Sequence, residues 1–151
     1  MGNRYAQAKN DFLCRHSDIL DEKLKYYVYL IRGEGIHHFL VLQEEGGKGC
    51  FRVELTQEWG RTIFLHSDYK GTLKSEDLQG HIEMTLNEIL EVGKQIIREY
   101  NEECKLLEQN CQEFCNTYLI RLGFSGYITY SFIARIGIAI VTVWNGIMIH
   151  N

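Results

Sequence analysis

Proline is absent from all 151 residues of the chain. That excludes a proline-rich linker and any prolyl isomerisation step in folding. Basic clusters are also missing. The sixteen Lys and Arg are scattered through a chain of net charge -4 and pI near 5.9, which argues against nucleic acid as the main partner, because phosphate binding draws on grouped cations. There is no internal repeat and no low-complexity segment. The first residues, MGNRYAQAKNDFLCRHSDIL, lack the continuous apolar core of a secretory signal, so a cytoplasmic setting with reduced thiols is expected. Cysteine numbers five, an odd count, so a fully paired disulfide scaffold is excluded. A myristoylation motif would begin at Gly2, but Ala6 stands where Ser or Thr is wanted.

What remains is material for one domain: 45% hydrophobic and 24% charged residues in 17.7 kDa. A unit of this size buries roughly two thirds of its unfolded surface and needs neither metal nor disulfide to hold together. Residues 1–24 are polar and mixed, with apolar spots at Phe12, Leu13, Ile19, Leu20 and Leu24 that fit a helix. Stretches rich in Tyr, Val, Ile and Phe follow at Tyr26–Ile31, His38–Gln43, Phe51–Leu55 and Thr62–His66, and these predict strands. The Gly-rich break at residues 44–49 predicts a hairpin loop, its glycines supplying positive φ, and hence an antiparallel sheet.

From residue 85 the period changes. Thr85-Leu-Asn-Glu88 has the form of a capping box, and Leu86, Ile89, Leu90, Gly93, Ile97 and Tyr100 recur at helical spacing. A second stripe, Cys111, Phe114, Cys115, Tyr118, Leu119 and Leu122, ends at Gly123, which suits the position just past a helix. The tail from Tyr127 to Ile149 is 23 residues with one charge, Arg135. A membrane span, a membrane-surface segment and a buried hairpin or helix all fit it, because its uninterrupted apolar part has only 14 residues and contains the turn signal Asn145-Gly146.

A cysteine nucleophile works as the thiolate, and a helix N-terminus lowers thiol pKa through its dipole and free N–H groups. Asn110 is a favoured N-cap residue, which places Cys111 in the first turn beside donors that also suit an oxyanion. Cys111 equally lies on the apolar stripe, where packing thiols sit, so spacing alone leaves both readings open. Cys115, one turn on, reads as packing. The Cys111/Cys115 spacing would suit two metal ligands, but no second tight pair completes a zinc site, and no metal or other cofactor is expected. For a base, strand alternation puts His38, Leu40 and Leu42 on one face and His37, Phe39 and Val41 on the other, so only one imidazole meets a given site. Glu54, in Phe51-Arg-Val-Glu54-Leu55, is a strand carboxylate within reach of a histidine ring, or else a solvated cross-strand charge. His16, His66, His81 and His150 have no comparable partner in the sequence and read as surface or core residues.

His38-Phe-Leu-Val-Leu on an early strand, Phe-Arg-Val-Glu54-Leu after a Gly-rich turn, a long helix, and Leu106-Leu-Glu-Gln-Asn-Cys111-Gln-Glu-Phe114 together resemble the circularly permuted papain-like (NlpC-type) thiol hydrolases. Two branches are similar: the lecithin:retinol acyltransferase-like (LRAT-like) group and the PPPDE group, both with an Asn-Cys-x-x-Phe type motif. The resemblance covers roughly residues 25–123. It implies an α+β fold in which an antiparallel sheet packs against helices and the cysteine sits at a helix N-terminus. It implies Cys111 as nucleophile, His38 as base with His37 as the alternative, and Glu54 at the third polar position, which is often histidine in the acyltransferase-like branch. Glu103-Cys104-Lys-Leu-Leu departs from the family where a tyrosine commonly precedes the leucine pair. The chain then divides into a lead-in at 1–24, a papain-like domain at 25–123 and an apolar tail at 124–151.

The implied activity is that of a thiol hydrolase or acyltransferase working through a thioester on a lipid ester or on an isopeptide or peptide bond. Its partners would be an acyl lipid or a ubiquitin-like or peptide substrate, with residues 127–149 available for membrane association. The contrasting expectation is a catalytically silent papain-like binding module, membrane-tethered through the tail. The glutamates leading to the cysteine (Glu102, Glu103, Glu108) favour it, because they would oppose a thiolate if they faced the site.

Overall fold

Alternating side chains and glycine turns build the sheet, and two capped amphipathic segments build its cover. The structure, a computed structural model, describes residues 3–33, 37–58, 61–102 and 111–127. It is an α+β arrangement of three helices, α1 (Asn3–Arg15), α2 (Leu86–Glu102) and α3 (Cys111–Arg121), and five strands, β1 (Leu24–Arg32), β2 (His38–Glu44), β3 (Cys50–Glu58), β4 (Arg61–Asp68) and β5 (Leu78–Met84). The strands form one sheet in the order β4-β3-β2-β1-β5, and every neighbouring pair is antiparallel.

The period of two sorts each strand into faces. Tyr26, Val28 and Leu30 of β1, Leu40 and Leu42 of β2, and Phe51, Val53 and Leu55 of β3 enter one core with Leu86, Ile89, Leu90 and Ile96 of α2 and Phe114, Cys115, Tyr118 and Leu119 of α3. Each large apolar side chain removed from water in this way contributes about 1.5–3 kcal/mol. Phe12 and Ile19 from the chain's beginning belong to the same core. Phe12 stacks edge-on against Phe51, with ring centroids 5.3 Å apart, and so seats α1 over the β4 side of the sheet.

The local signals explain the ends of the elements. The Glu88 N–H donates to Thr85 Oγ1 at 3.1 Å and the Thr85 hydroxyl donates to Glu88 Oε1 at 3.1 Å, so Thr85 caps the start of α2 and Glu88 bonds back to the cap hydroxyl. At the end of α3, Gly123 takes φ 98°. Its N–H donates to the Ile120 carbonyl at 3.0 Å, and the Phe124 N–H donates to the Leu119 carbonyl at 2.9 Å. That is the paired bonding of a Schellman cap. Between β2 and β3 the turn needs positive φ only at Gly47 (81°), and the Lys48 N–H donates to Glu44 Oε2 at 2.7 Å.

Gly93 serves a different purpose, close approach. A Cβ there would come within 2.6 Å of the Phe64 ring and 2.9 Å of the Tyr118 ring, so α2 lies against β4 and α3 only because that side chain is missing.

Strand β5 has no counterpart in the hydrophobic pattern. Only Ile82 of its seven residues is buried, and the strand is held as an edge by its pairing with β1, across an irregularity at Val28/Tyr29. None of the described helices is long and apolar enough to cross a membrane. The tail beyond Tyr127 lies outside the described residues, as do Asn110, Cys104, Glu103 and Glu108.

Candidate functional site

Cys111 is the first residue of α3, and α3 lies across β2 and β3. The stripe places Phe114, Cys115, Tyr118 and Leu119 in the core, and this packing fixes the first turn against the sheet. Cys111 itself is half-buried, while Gln112 and Glu113 beside it are buried. Cys115 is fully enclosed. Burial pushes its thiol well up, and the neighbouring Cys111 and Glu54 push in the same direction, so it is held as the inert thiol.

His38 opens β2 on the core face, opposite Arg32 of β1 in the sheet register, and is only 9% exposed. Its Nδ1 lies 3.0 Å from the Tyr127 hydroxyl. The same hydroxyl donates to the Gln112 main-chain carbonyl at 2.8 Å, and the Tyr127 N–H donates to Asn116 Oδ1 at 2.7 Å. One tyrosine thus joins the imidazole on the sheet to the first turn of the cysteine helix. Burial lowers the His38 pKa from its ordinary value, and the charges of Arg32 and His37 lower it further, so the ring is held toward its neutral form. Burial likewise raises the Tyr127 phenol well above its ordinary range, and the Cys115 and Cys111 sulfurs add to that rise, so it keeps its proton.

The structure brings Glu54 to His37 and not to His38. Leu40 pairs with Val53, and both face the core, so the residues next to them, Phe39 and Glu54, face the other way. There His37 Nε2 lies 2.6 Å from Glu54 Oε2, and Arg52 Nη2 donates to the same oxygen at 2.7 Å. The Arg52 guanidinium also stacks 3.8 Å over the Phe39 ring. The Glu54 side chain is 6% exposed against 40% for His37. The two adjacent histidines therefore serve opposite faces, as the alternation requires, and the carboxylate belongs to the His37 face.

Tyr127 is the site residue that pattern reading missed. It enters the sequence as the first residue of an apolar tail, and nothing in local periodicity links it to His38, 89 residues away. Only the reversal at Gly123, visible as a helix stop, hints that the following residues run back along α3. No group of three or more His, Cys, Asp or Glu side chains converges as a metal cage among the described residues. The other described histidines fall elsewhere. His16 Nε2 lies 2.7 Å from Asp68 Oδ1, His81 is exposed on β5, and His66 is buried among Phe12 and Phe64. No family model, curated protein or solved structure matches the chain.

Proposed function

We propose that the protein is a cysteine-dependent hydrolase or acyltransferase of circularly permuted papain-like type, LRAT-like or PPPDE-like, with Cys111 as nucleophile and His38 as base. The observation that carries this reading is the single Tyr127 hydroxyl within hydrogen-bond reach of both His38 and the first turn of the helix that Cys111 opens. In this mechanism His38 takes the Cys111 proton. The thiolate attacks an ester or amide carbonyl, and backbone N–H groups of the α3 first turn hold the oxyanion. His38 returns the proton to the departing alcohol or amine, leaving a thioester. Water or an acceptor alcohol or amine, deprotonated by His38, then attacks that carbonyl and releases Cys111. The substrate class is an acyl lipid ester or an isopeptide or peptide bond, in a cytoplasmic setting, with residues 127–149 as the segment for membrane association.

Alkylation of the folded chain with iodoacetamide near neutral pH tests this reading. Cys111 is expected to react roughly tenfold faster than the exposed Cys14, because a helix N-terminus enriches the thiolate. Cys111→Ala is expected to abolish esterase and isopeptidase turnover. Equal rates at the two cysteines, or turnover that survives the substitution, would remove the proposal. The engagement of Glu54 by His37 and Arg52 favours the second reading, a silent papain-like binding module, because this carboxylate is then taken up on the face opposite His38. Slow alkylation of Cys111 in a stably folded chain is the outcome that reading expects.

A further inference from the structure

The Tyr127 hydroxyl carries one proton, and the Gln112 carbonyl 2.8 Å away can only accept, so that proton points at Gln112. The oxygen has nothing but lone pairs left for His38 Nδ1 at 3.0 Å. A neutral ring with a bare Nδ1 would set lone pair against lone pair across that distance, leaving a buried acceptor unmatched. We infer that Tyr127 is a positioning residue that fixes neutral His38 as the Nδ1–H tautomer, leaving Nε2 as the one ring nitrogen able to take a proton.

Three features of the structure support the assignment. Tyr127 is held at both ends, by its hydroxyl and by its main-chain N–H on Asn116 Oδ1 at 2.7 Å, which keeps the phenol oxygen against the Gln112 carbonyl. Its ring packs against the imidazole with centroids 5.6 Å apart. His38 is itself buried, so water is a poor substitute partner for Nδ1. A neutral hydroxyl here does the orienting that a carboxylate or amide does in other thiol and serine enzymes, because a base must be held by a third group if its free nitrogen is to face the nucleophile. The functional meaning of the tautomer rests on the proposed Cys111–His38 reading. The tautomer itself does not.

The test is the two-bond nitrogen–proton NMR spectrum of the 15N-labelled full chain above the pKa of His38, with His38 assigned by comparison with His38→Gln. The wild-type ring is expected to show a protonated Nδ1 and a bare Nε2. Tyr127→Phe, which keeps the ring and loses only the hydroxyl, is expected to move the pattern to Nε2–H or a tautomer mixture. It is also expected to slow Cys111 alkylation roughly tenfold, the scale of one lost hydrogen bond to a buried group. A wild-type spectrum with Nε2–H overturns the inference, and so does a Tyr127→Phe spectrum identical to wild type. Should the variant fail to fold, the wild-type spectrum alone decides. An Nδ1–H ring in a chain whose Cys111 reacts no faster than Cys14 sustains the tautomer and removes the hydrolase reading. A fast Cys111 beside an Nε2–H ring does the reverse.

Discussion

On one face of β2 a histidine meets a hydroxyl and, through it, a peptide carbonyl; on the other its chain neighbour meets a carboxylate already held by a guanidinium. Strand alternation alone separates them. The core face is lined by apolar side chains and a helix start, so a partner there is best neutral, and orientation is set by the direction of one O–H bond. The outer face keeps His37 and Arg52 partly in water, so it tolerates a cluster of formal charges around Glu54. The same residue type thus performs two kinds of work. In the proposed mechanism His38 transfers the proton, whereas His37 helps to satisfy a buried carboxylate.

His66 extends the contrast and carries the largest expected effect. It shares the core face with His38, is 2% exposed, and no hydrogen bond of normal geometry reaches either ring nitrogen among the described residues. Burial, assisted by the Lys9 and Lys94 charges, lowers its pKa to about 4. Between the ordinary 6.5 and that value the unfolded chain binds a proton that the folded chain refuses. Stability attributable to His66 is therefore complete above the ordinary pKa, lost as pH falls through this window, and flat below it, a change of about 3 kcal/mol in all. Urea titrations near pH 7 and near pH 4 are expected to show that loss in the wild type. In His66→Phe most of it is expected to vanish, and an equal acid loss in the two proteins would place the sensitive group elsewhere.

Glu54→Ala is next in size. It strips the carboxylate from His37 and Arg52 and is expected to cost roughly 2–3 kcal/mol in chemical denaturation. That is somewhat below the full penalty for breaking a buried pair, because both partners of Glu54 keep some access to water. If the two faces are independent, the rate of Cys111 alkylation per folded molecule stays at the wild-type value; a tenfold change would show that Glu54 reaches through the sheet to the His38 side. His37→Gln is expected to have the smallest effect, under about 1 kcal/mol, because the ring is partly exposed and Arg52 still holds Glu54. A cost above about 2 kcal/mol would mean that His37 is bound far more tightly than its exposure indicates.

Much of this arrangement was legible in the sequence, because it rests on local periodicity. Four strands, the glycine turn, the helix cap at Thr85 and the α3 stripe ending at Gly123 all follow from spacing and from the needs of chain ends. The opposition of His37 and His38 follows from the same period of two. What was hidden depends on pairing across the chain. Strand β5 has one buried residue and so almost no pattern; its partner β1 creates it. The partner of Glu54 was open between two histidines until the register Leu40↔Val53 set its face. Tyr127 was hidden because its role depends on a chain reversal whose direction no pattern encodes.

That reversal carries one more consequence. Gly123 has no side chain and takes part in no chemistry, yet its left-handed torsion sends the chain back so that Phe124 packs on Gly80 and Tyr127 returns to the beginning of α3. A residue with a Cβ would pay about 1–2 kcal/mol to keep that torsion sign. The stereochemical rule that reserves such backbone for glycine thereby extends to an imidazole far away in the chain: where a proton rests on His38 is inherited from the handedness of a single turn.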